Sequence, residues 1–189
     1  MKNKIVFDRK WEMPNSNTFT IKCISELIRK YNSPVPRSGP KFISIDPFAN
    51  TNRIAKITND IDPKVKADYN MDALDFLKSF DKNSVDLILF DPPYSPRQVS
   101  EVYRKLGKSV NMQTTQLSFW SKLKIEIARI MKVGGWSICF GWNSNGVGKT
   151  RGFEIKEILL VAHGTNHNDT ICTVEQKIKM YGDKKIKIW

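Results

Sequence analysis

The sequence predicts a three-layer α/β domain whose sheet is mostly parallel and ends in an antiparallel hairpin. Short apolar runs alternate with segments in which apolar residues recur at helical spacing, a pattern typical of parallel sheets covered by helices. The most apolar run, residues 85–90 (VDLILF), is typical of a strand buried on both faces. Two late apolar runs, 154–163 and 170–177, are joined by a polar loop and predict the hairpin.

The first part of the chain contains one predicted helix and two predicted strands. Residues 1–18 are polar and aromatic and indicate an extended or loop segment. Apolar positions at helical spacing predict a helix over 19–31, which the proline-rich residues 33–40 end. Short strands are expected at 42–45 and 55–58, and an aspartate follows each of them.

The middle of the chain continues the alternation. A helix is predicted over 71–80, and it leads into the apolar strand at 85–90. A longer helix is predicted over 114–132, where Gly134 and Gly135 supply a usual helix stop. The next strand is expected at 136–142.

Length and composition favour one compact domain over 1–189, with 1–18 as an N-terminal extension and 178–189 as a basic tail. A chain of 189 residues with 40% hydrophobic content buries one sizeable core. Its 31 Lys and Arg residues outnumber 19 Asp and Glu, and the net charge of +12 favours polyanionic partners such as nucleic acid. The sequence contains no signal-peptide pattern or long apolar span, so the cytoplasm is the expected location.

A metal site is not expected. The three cysteines are far apart and lack the spacing of zinc ligands. His163 and His167 are four residues apart, but they lie at a predicted strand end and in a loop, not on one helical face. The sequence therefore predicts buried free thiols and hydrogen-bonded loop histidines.

Three aspartates fall at the predicted strand ends. Asp46, Asp60 and Asp91 each follow a short apolar run. In open parallel sheets, ligands bind beyond the carboxyl ends of the strands. The three carboxylates are therefore expected to converge on one crevice.

The tetrapeptide Asp91-Pro92-Pro93-Tyr94 ends the most apolar strand. Its prolines fix the backbone and remove amide donors, which leaves the Pro92 carbonyl and the Asp91 carboxylate as acceptors. Two acceptors suit an amino group, and binding both N–H bonds of an adenine amine favours the pyramidal form that attacks a methyl sulfonium. Tyr94 offers a flat face for an extruded base, and stacking of this kind is worth about 1–3 kcal/mol. A proline-rich turn without a catalytic role is the alternative interpretation.

Several segments together resemble the DNA adenine-N6 methyltransferase family, over roughly residues 17–178. Residues 19–23 are similar to the family's FxxKP segment, with Cys23 where proline is usual. The other matching segments, in chain order, are Asp46-Pro47-Phe48 (the DPF opening of the cofactor loop), Asp60-Ile61-Asp62-Pro63, Asp72-Ala73 and the tetrapeptide at 91–94.

The resemblance implies a Rossmann-like S-adenosylmethionine-dependent methyltransferase fold in a small, phage-type member without a separate target-recognition domain. It implies S-adenosyl-L-methionine as the cofactor, with DNA, single-stranded or duplex, as the partner. The target adenine is flipped into a catalytic site formed by Asp91, Pro92, Pro93 and Tyr94. Cofactor contacts are implied for Phe19, Lys22, Asp46, Pro47, Phe48, Asp60, Ile61, Asp72 and Ala73, with Asp60 on the ribose hydroxyls.

The segment after Asp46 differs from the family pattern. Residues 49–53 contain no glycine, and Asp60 follows Asp46 by only 14 residues. This spacing is too short for a full crossover helix and a strand. Asn50 or Asn52 is expected to take the positive-φ conformation that glycine adopts in the family.

Basic and glycine-rich segments supply candidate nucleic-acid contacts. The loop at 141–151 follows a predicted strand, and it lacks the Walker phosphate-loop spacing because Asn143 replaces the first glycine. Trp142 is a candidate neighbour of the target base. The nucleic-acid candidates are Arg97, Asn143, Lys149, Arg151, Lys184 and Lys185, and for each of them a solvated side chain without a ligand is the alternative.

Three functional alternatives remain open from the sequence. The same acceptor pair suits the amino group of adenine in RNA and that of cytosine at N4. A catalytically inactive, methyltransferase-like module that binds nucleic acid would also retain the fold and the positive charge. The oligomeric state, monomer or homodimer, is not set by the sequence.

Overall fold

The computed structural model describes residues 4–32, 42–107, 117–164 and 167–182. Their helices are α1 (Lys22–Tyr31), α2 (Ala73–Lys78), α3 (Pro96–Lys105) and α4 (Leu117–Ile130), with 3-10 turns at Thr18–Thr20 and Lys149–Arg151. Their strands are β1 (Val6–Trp11), β2 (Ser44–Asp46), β3 (Ile57–Thr58), β4 (Val85–Phe90), β5 (Met131–Gly141), β6 (Phe153–Ala162) and β7 (Thr170–Lys177). None of these helices is long and apolar enough to cross a membrane.

The seven strands form one sheet in the order β1-β6-β7-β5-β4-β2-β3. Neighbouring strands are parallel except where β7 inserts between β5 and β6, to both of which it is antiparallel. The predicted fold class, a mostly parallel sheet with a C-terminal antiparallel hairpin, is confirmed.

Strand β4 shows how the core is divided between the two faces of the sheet. All six of its residues are buried. Leu87 and Leu89 pack on the face that α1 covers, whereas Ile88 and Phe90 pack on the face covered by α2 and α4. Successive side chains of a strand point to opposite faces, so a strand buried on both sides is mostly apolar. The one charged residue of β4, Asp86, accepts hydrogen bonds from the Ile43 amide (2.9 Å) and from Lys132 (2.8 Å).

Strand β1 is the largest difference from the predicted elements. The sequence indicates only an extended or loop segment at 1–18, but Val6–Trp11 pair in parallel with β6, from Val6 opposite Glu157 to Trp11 opposite Ala162. Both faces of this strand are largely exposed. A strand exposed on both faces does not need alternating apolar and polar residues, so the sequence pattern does not identify β1 as a strand.

Helices α3 and α4 also differ from prediction. Helix α3 is not predicted; it begins where the Ser95 hydroxyl accepts a hydrogen bond from the Gln98 amide (3.2 Å) with a proline in the first turn. Helix α4 ends at Ile130, two residues before the predicted end, because Met131 already enters β5 beside Val85. Strand β5 thus begins five residues earlier than expected.

The connection from β2 to β3 contains no helix in residues 47–56, all of which are described. This agrees with the short spacing between Asp46 and Asp60. Asn50 adopts a φ of 48°, and Asn52 is not in a positive-φ conformation. Of the two asparagines that the sequence offered for the glycine-like position, the structure selects Asn50.

Asn59 holds this helix-free connection in place. Its side chain is fully buried, and its amide nitrogen donates to the carbonyls of Pro47 (3.1 Å) and Met71 (3.1 Å). Its amide oxygen accepts from the Met71 backbone N–H (3.1 Å). One side chain therefore joins the segment after β2, the end of β3 and the approach to α2.

We expect Asn59→Leu to destabilise the protein strongly. The substitution keeps the approximate volume but leaves two carbonyls and one amide without partners, and each unsatisfied buried group costs about 1–3 kcal/mol. The free energy of unfolding in urea should fall by at least about 3 kcal/mol. The half-exposed Asn52→Leu is the control, and equal losses in the two variants would contradict the assigned role of Asn59.

Candidate active site

Three strand-end carboxylates lie at one edge of the sheet. Asp46 ends β2, Asp91 directly follows β4, and Asp60 follows β3 by two residues. The three strands are parallel neighbours, so their carboxyl ends meet. The pKa of Asp46 is raised to about 8, mainly by burial, and the nearby charges of Asp91 and Asp60 raise it further. The structure thus brings the three aspartates within electrostatic reach of one another.

A cavity of about 560 Å³ opens beside these carboxylates. This volume is in the usual range for small-molecule sites. Its walls come from four segments: residues 16–18 before α1, the loop at 48–52, residues 60–62 after β3, and the 91–94 tetrapeptide, with α3 closing one side. We call it the donor cavity.

Asp60 fixes the polar wall of the donor cavity. Its carboxylate accepts hydrogen bonds from the backbone N–H groups of Asn50 (2.8 Å) and Asp62 (2.9 Å). A carboxylate has about four lone-pair sites, so Asp60 retains the capacity to accept further hydrogen bonds from a ligand. The same contact orders the glycine-free loop, because the Asn50 amide points at the carboxylate.

The tetrapeptide is held by three polar contacts. The Tyr94 hydroxyl donates a short hydrogen bond to the Asp91 carboxylate, and the Tyr94 amide donates to the Gln98 side-chain oxygen (2.6 Å). The Trp120 indole donates to the Pro93 carbonyl (3.1 Å). Burial raises the pKa of Asp91, and the hydrogen bond from Tyr94 opposes that shift. The carboxylate is therefore oriented inside the protein wall.

A second cavity, of about 280 Å³, lies on the other side of the tetrapeptide. We call it the acceptor cavity. It shares Pro92 and Tyr94 with the donor cavity, and its walls include Trp120, Trp142 and Asn143. The rings of Tyr94 and Trp142 lie 5.5 Å apart at an angle of 58°. The tetrapeptide thus separates two adjoining cavities, one rich in carboxylates and one rich in aromatic rings.

The fold of this chain is similar to that of known methyltransferase structures, although its sequence matches no family. No family model and no curated protein matches the sequence. The crystal structure of TrmN from Thermus thermophilus superposes with a TM-score of 0.51 at 16% identity, over 84% of this chain and 49% of TrmN. The chain has a methyltransferase fold. The Escherichia coli protein yhhF, assigned as a methyltransferase, superposes with a TM-score of 0.51 at 10% identity, over 88% of this chain and 92% of yhhF.

The chain spans about half the length of TrmN and nearly the whole length of yhhF. Both superpositions cover more than four fifths of this chain. At these low identities the similarity establishes the Rossmann-like methyltransferase fold only. The reaction has to be inferred from the residues of the site.

Several of the predicted cofactor residues meet beside the donor cavity. A small apolar slot of about 40 Å³ adjoins it, with Phe48 and Ile61 in both walls. The slot is also bordered by Pro47, Asp72 and Ala73. The Asp72 carboxylate caps α2 by accepting from the Leu74 amide (2.8 Å), and it also accepts from the Tyr103 hydroxyl (2.8 Å).

Three predicted cofactor residues, Phe19, Lys22 and Asp46, lie outside these walls, and Asp46 is buried behind the cavity. Phe19 is buried in the core, with its ring centroid 4.7 Å from that of Phe140. Lys22 is exposed at the first turn of α1. The residues just before them, Ser16, Asn17 and Thr18, border the donor cavity instead. The donor cavity therefore borders the chain just before the segment at 19–23, and the cofactor roles of Phe19 and Lys22 stay predictions.

The predicted nucleic-acid residues occupy different environments. Arg97 is highly exposed and pairs with Glu101 (2.8 Å). Asn143 borders the acceptor cavity, and Lys149 is exposed in the following 3-10 turn. Arg151 donates to the Val147 carbonyl (3.1 Å) and to the Ser121 hydroxyl (3.1 Å), so it also anchors the loop.

The remaining predictions concern the basic tail and the absence of a metal site. Lys184 and Lys185 lie outside the described residues, as does most of the tail at 178–189. Within the described residues, no group of three or more His, Cys, Asp or Glu side chains is arranged to hold a metal ion.

Glu175 is a site residue that sequence reasoning missed. This buried carboxylate in β7 accepts hydrogen bonds from the backbone N–H groups of Val147 (2.5 Å) and Gly148 (3.0 Å). Gly146, at a φ of 52°, packs so close to the Glu175 carboxylate that a Cβ atom would overlap it. Glu175 therefore fixes the loop that walls the acceptor cavity. The only sequence signal is an acidic residue within a predicted strand whose one other charged residue, Lys177, stands at its end.

We expect Gly146→Ala to cost more stability than Gly164→Ala. Both glycines have positive φ values, 52° and 89°, so both variants carry backbone strain. A Cβ at Gly146 meets the Glu175 carboxylate, whereas a Cβ at Gly164 meets nothing within 4 Å. Overpacking typically adds about 1–3 kcal/mol. Urea unfolding of the two variants measures the difference, and equal losses would contradict a tight fit between Gly146 and Glu175.

We expect Asp46 to make stability depend on pH. The folded pKa of about 8 lies above the ordinary value of 3.8, so the folded protein holds a proton that the unfolded chain releases between these values. The contribution of this group to stability is therefore fully present below about pH 4 and is lost as the pH rises to about 8. The side chain at position 46 cannot titrate in Asp46→Asn. The free energy of unfolding of the variant minus that of wild type should therefore increase from pH 5 to pH 8.

Asp75→Asn is the matched control for this experiment. The Asp75 side chain is 69% exposed, so the substitution should leave the pH profile of unfolding close to that of wild type. Parallel profiles for wild type and Asp46→Asn would show that Asp46 is ionised in the folded protein throughout this range.

Proposed function

We propose that this protein transfers the methyl group of S-adenosyl-L-methionine to the exocyclic amino nitrogen (N6) of adenine in DNA. One observation carries the proposal: Pro92 and Tyr94 of the 91–94 tetrapeptide line both the donor and the acceptor cavity, and Asp91 borders the donor cavity beside them. A methyl donor in one cavity and an amine in the other meet at Pro92 and Tyr94. Holding two reactants in line supplies much of the rate enhancement in such a transfer.

The donor cavity suits S-adenosyl-L-methionine in charge and in polarity. When bound, the cofactor supplies a cationic methyl sulfonium, which is already a strong electrophile. Asp60 and Asp91 border the cavity, and one oxygen of the buried Asp46 next to them has no hydrogen-bond partner among the described residues. A nearby cation relieves the repulsion between buried carboxylates. Asp60 has acceptor capacity for the ribose hydroxyls, as acidic residues after the second strand do in nucleotide-binding folds.

The acceptor cavity suits a flat, amino-bearing base. Tyr94, Trp120 and Trp142 provide aromatic surfaces, and stacking on such rings is worth about 1–3 kcal/mol per base. Pro92 borders both cavities and Asp91 borders the donor cavity, so the amine is bound at the boundary between them, where the Asp91 carboxylate and the Pro92 carbonyl accept its two hydrogens. In this account the Tyr94 hydroxyl orients the Asp91 carboxylate, and the remaining lone pairs of Asp91 bind the amine.

The net charge and the loops support a nucleic-acid substrate. The charge of +12 favours phosphate contacts, and Lys149 lies exposed in the loop that continues from the acceptor cavity. Arg97, exposed at the start of α3, is a second candidate for a phosphate next to the flipped base. Arg151, Lys184 and Lys185 complete the proposed set. Extrusion of a base costs least in single-stranded or easily opened DNA, so these are the expected substrates.

The substrate is identified by incubating the protein with labelled cofactor and either DNA or RNA, then digesting the product to nucleosides. The proposal predicts N6-methyl-deoxyadenosine. Label in ribonucleosides or in N4-methylcytosine would assign the same site to another amino-bearing base. Binding of DNA without any methylated nucleoside would indicate a non-catalytic module.

We expect Asp91→Ala and Asp60→Ala to separate the two halves of the site. Asp91→Ala removes an amine acceptor, so methyl transfer should be lost while most of the affinity for S-adenosylmethionine remains. Asp60→Ala removes the ribose acceptor, so calorimetry should show weaker cofactor binding with DNA binding retained. Unchanged turnover in Asp91→Ala would contradict the role of Asp91 as an amine acceptor. Unchanged cofactor affinity in Asp60→Ala would contradict the role of Asp60 as the ribose acceptor.

A further inference from the structure

Strand β1 forms an unpaired edge of the sheet, where exposed aromatic side chains flank the charged residues Asp8, Arg9 and Lys10. Its only neighbouring strand among the described residues is β6. Half of the exposed large hydrophobic side chains in the described part of the chain lie between Ile5 and Met13. Phe7 and Trp11 are the most exposed of these, at 65% and 62%. An unpaired edge strand is a template for pairing with another strand, and exposed hydrophobic side chains along such an edge indicate a binding surface.

Alternate residues of β1 have backbone N–H and C=O groups that point away from the sheet. The Glu12 amide donates to the Ala162 carbonyl in β6 (3.1 Å). In this pairing the backbone N–H and C=O groups of the even-numbered residues of β1 point toward β6. The N–H and C=O groups of Phe7, Arg9 and Trp11 therefore point away from the protein. The Arg9 amide donates to the adjacent Asp8 carboxylate (2.8 Å), a local bond in water that a strand ladder would replace.

A second copy of the same strand matches this edge at one register. Two identical antiparallel strands are related by a two-fold axis, so one residue faces itself and its neighbours pair symmetrically. With Arg9 on the axis, Phe7 of each copy faces Trp11 of the other, and Asp8 faces Lys10. Aromatic and opposite-charge pairs across strands each contribute about 0.2–1 kcal/mol. The two Arg9 side chains lie on the same face as the aromatic rings, on which guanidinium groups stack.

Neighbouring registers are less favourable. An axis through Asp8 or Lys10 opposes two like charges in a pair whose backbones are not hydrogen-bonded, where Cα atoms approach to about 4.5 Å. Such registers also separate Phe7 from Trp11. The register centred on Arg9 places the like charges in the wider, hydrogen-bonded pair, at about 5.5 Å, on the longest side chain of the strand.

We propose that two copies of this chain associate through β1, with antiparallel strands around a two-fold axis at Arg9, so that the sheet continues from one copy into the other. The interface combines the outward backbone groups with the Phe7–Trp11 and Asp8–Lys10 pairs. It lies at the opposite edge of the sheet from β3, so the donor and acceptor cavities do not depend on it.

Cysteine cross-linking tests the register. Arg9→Cys places two thiols opposite each other at a Cα separation of about 5.5 Å, which lies within the range that disulfides span. The native cysteines, Cys23, Cys139 and Cys172, are all buried, so background cross-linking should be low. Mild oxidation of Arg9→Cys should give a covalent dimer on a non-reducing gel. Lys10→Cys is the matched control and should give much less dimer, because position 10 faces Asp8. Equal or greater cross-linking in the control would overturn the register.

Light scattering of the full chain tests the association itself. In about 150 mM salt, where the Debye length is about 8 Å and self-repulsion of the basic chains is screened, the mass should approach twice 21.8 kDa as concentration rises. Phe7→Asp should shift the protein to the monomer while its circular dichroism spectrum stays that of the folded protein, and its unfolding midpoint should no longer depend on protein concentration. Tyr181→Asp, at an exposed aromatic residue elsewhere, should leave the dimer intact. A wild-type mass of 21.8 kDa at every concentration, or equal effects of the two variants, would overturn the proposal.

Discussion

The parallel register of β2, β3 and β4 forces three carboxylates into one small region of the protein. Burial makes this arrangement unfavourable, as the raised pKa values of Asp46 and Asp91 indicate. The surrounding structure nevertheless holds the carboxylates in place, since Asp60 accepts two backbone hydrogen bonds and Asp91 accepts one from Tyr94. A cationic ligand would relieve the repulsion, so the same groups that reduce the stability of the ligand-free protein favour binding of a sulfonium donor.

The C-terminal hairpin contributes to the site as much as the parallel strands do. Because β7 inserts between β5 and β6, Glu175 lies beneath the loop that follows β5 and binds its backbone amides. That loop carries Trp142, whose ring packs against that of Tyr94 in the wall of the acceptor cavity. The antiparallel strand therefore fixes one wall of the proposed base site, while the parallel strands supply the carboxylates on the other side of the tetrapeptide.

The sequence predicts the parts of this architecture that depend on local pattern. Strand β4 is recognisable because burial on both faces requires a run that is mostly apolar, with Asp86 as its one charged residue, and the Asp91 tetrapeptide is recognisable because it ends that run. Contacts between distant segments leave no comparable local signal: Glu175 binds an amide 28 residues earlier, and Asn59 joins segments 12 residues away on either side. Strand β1 escapes prediction because both of its faces are exposed, so its position depends on pairing with β6.

A crystal structure with S-adenosylhomocysteine bound tests the central claim most directly. The account places the ribose hydroxyls of the ligand at the Asp60 carboxylate and its sulfur beside Asp91 and Pro92, so that the missing methyl group points toward the acceptor cavity. A ligand bound in another cavity, or one whose sulfur lies away from Pro92 with Asp91 still enclosed by protein groups, would contradict the account.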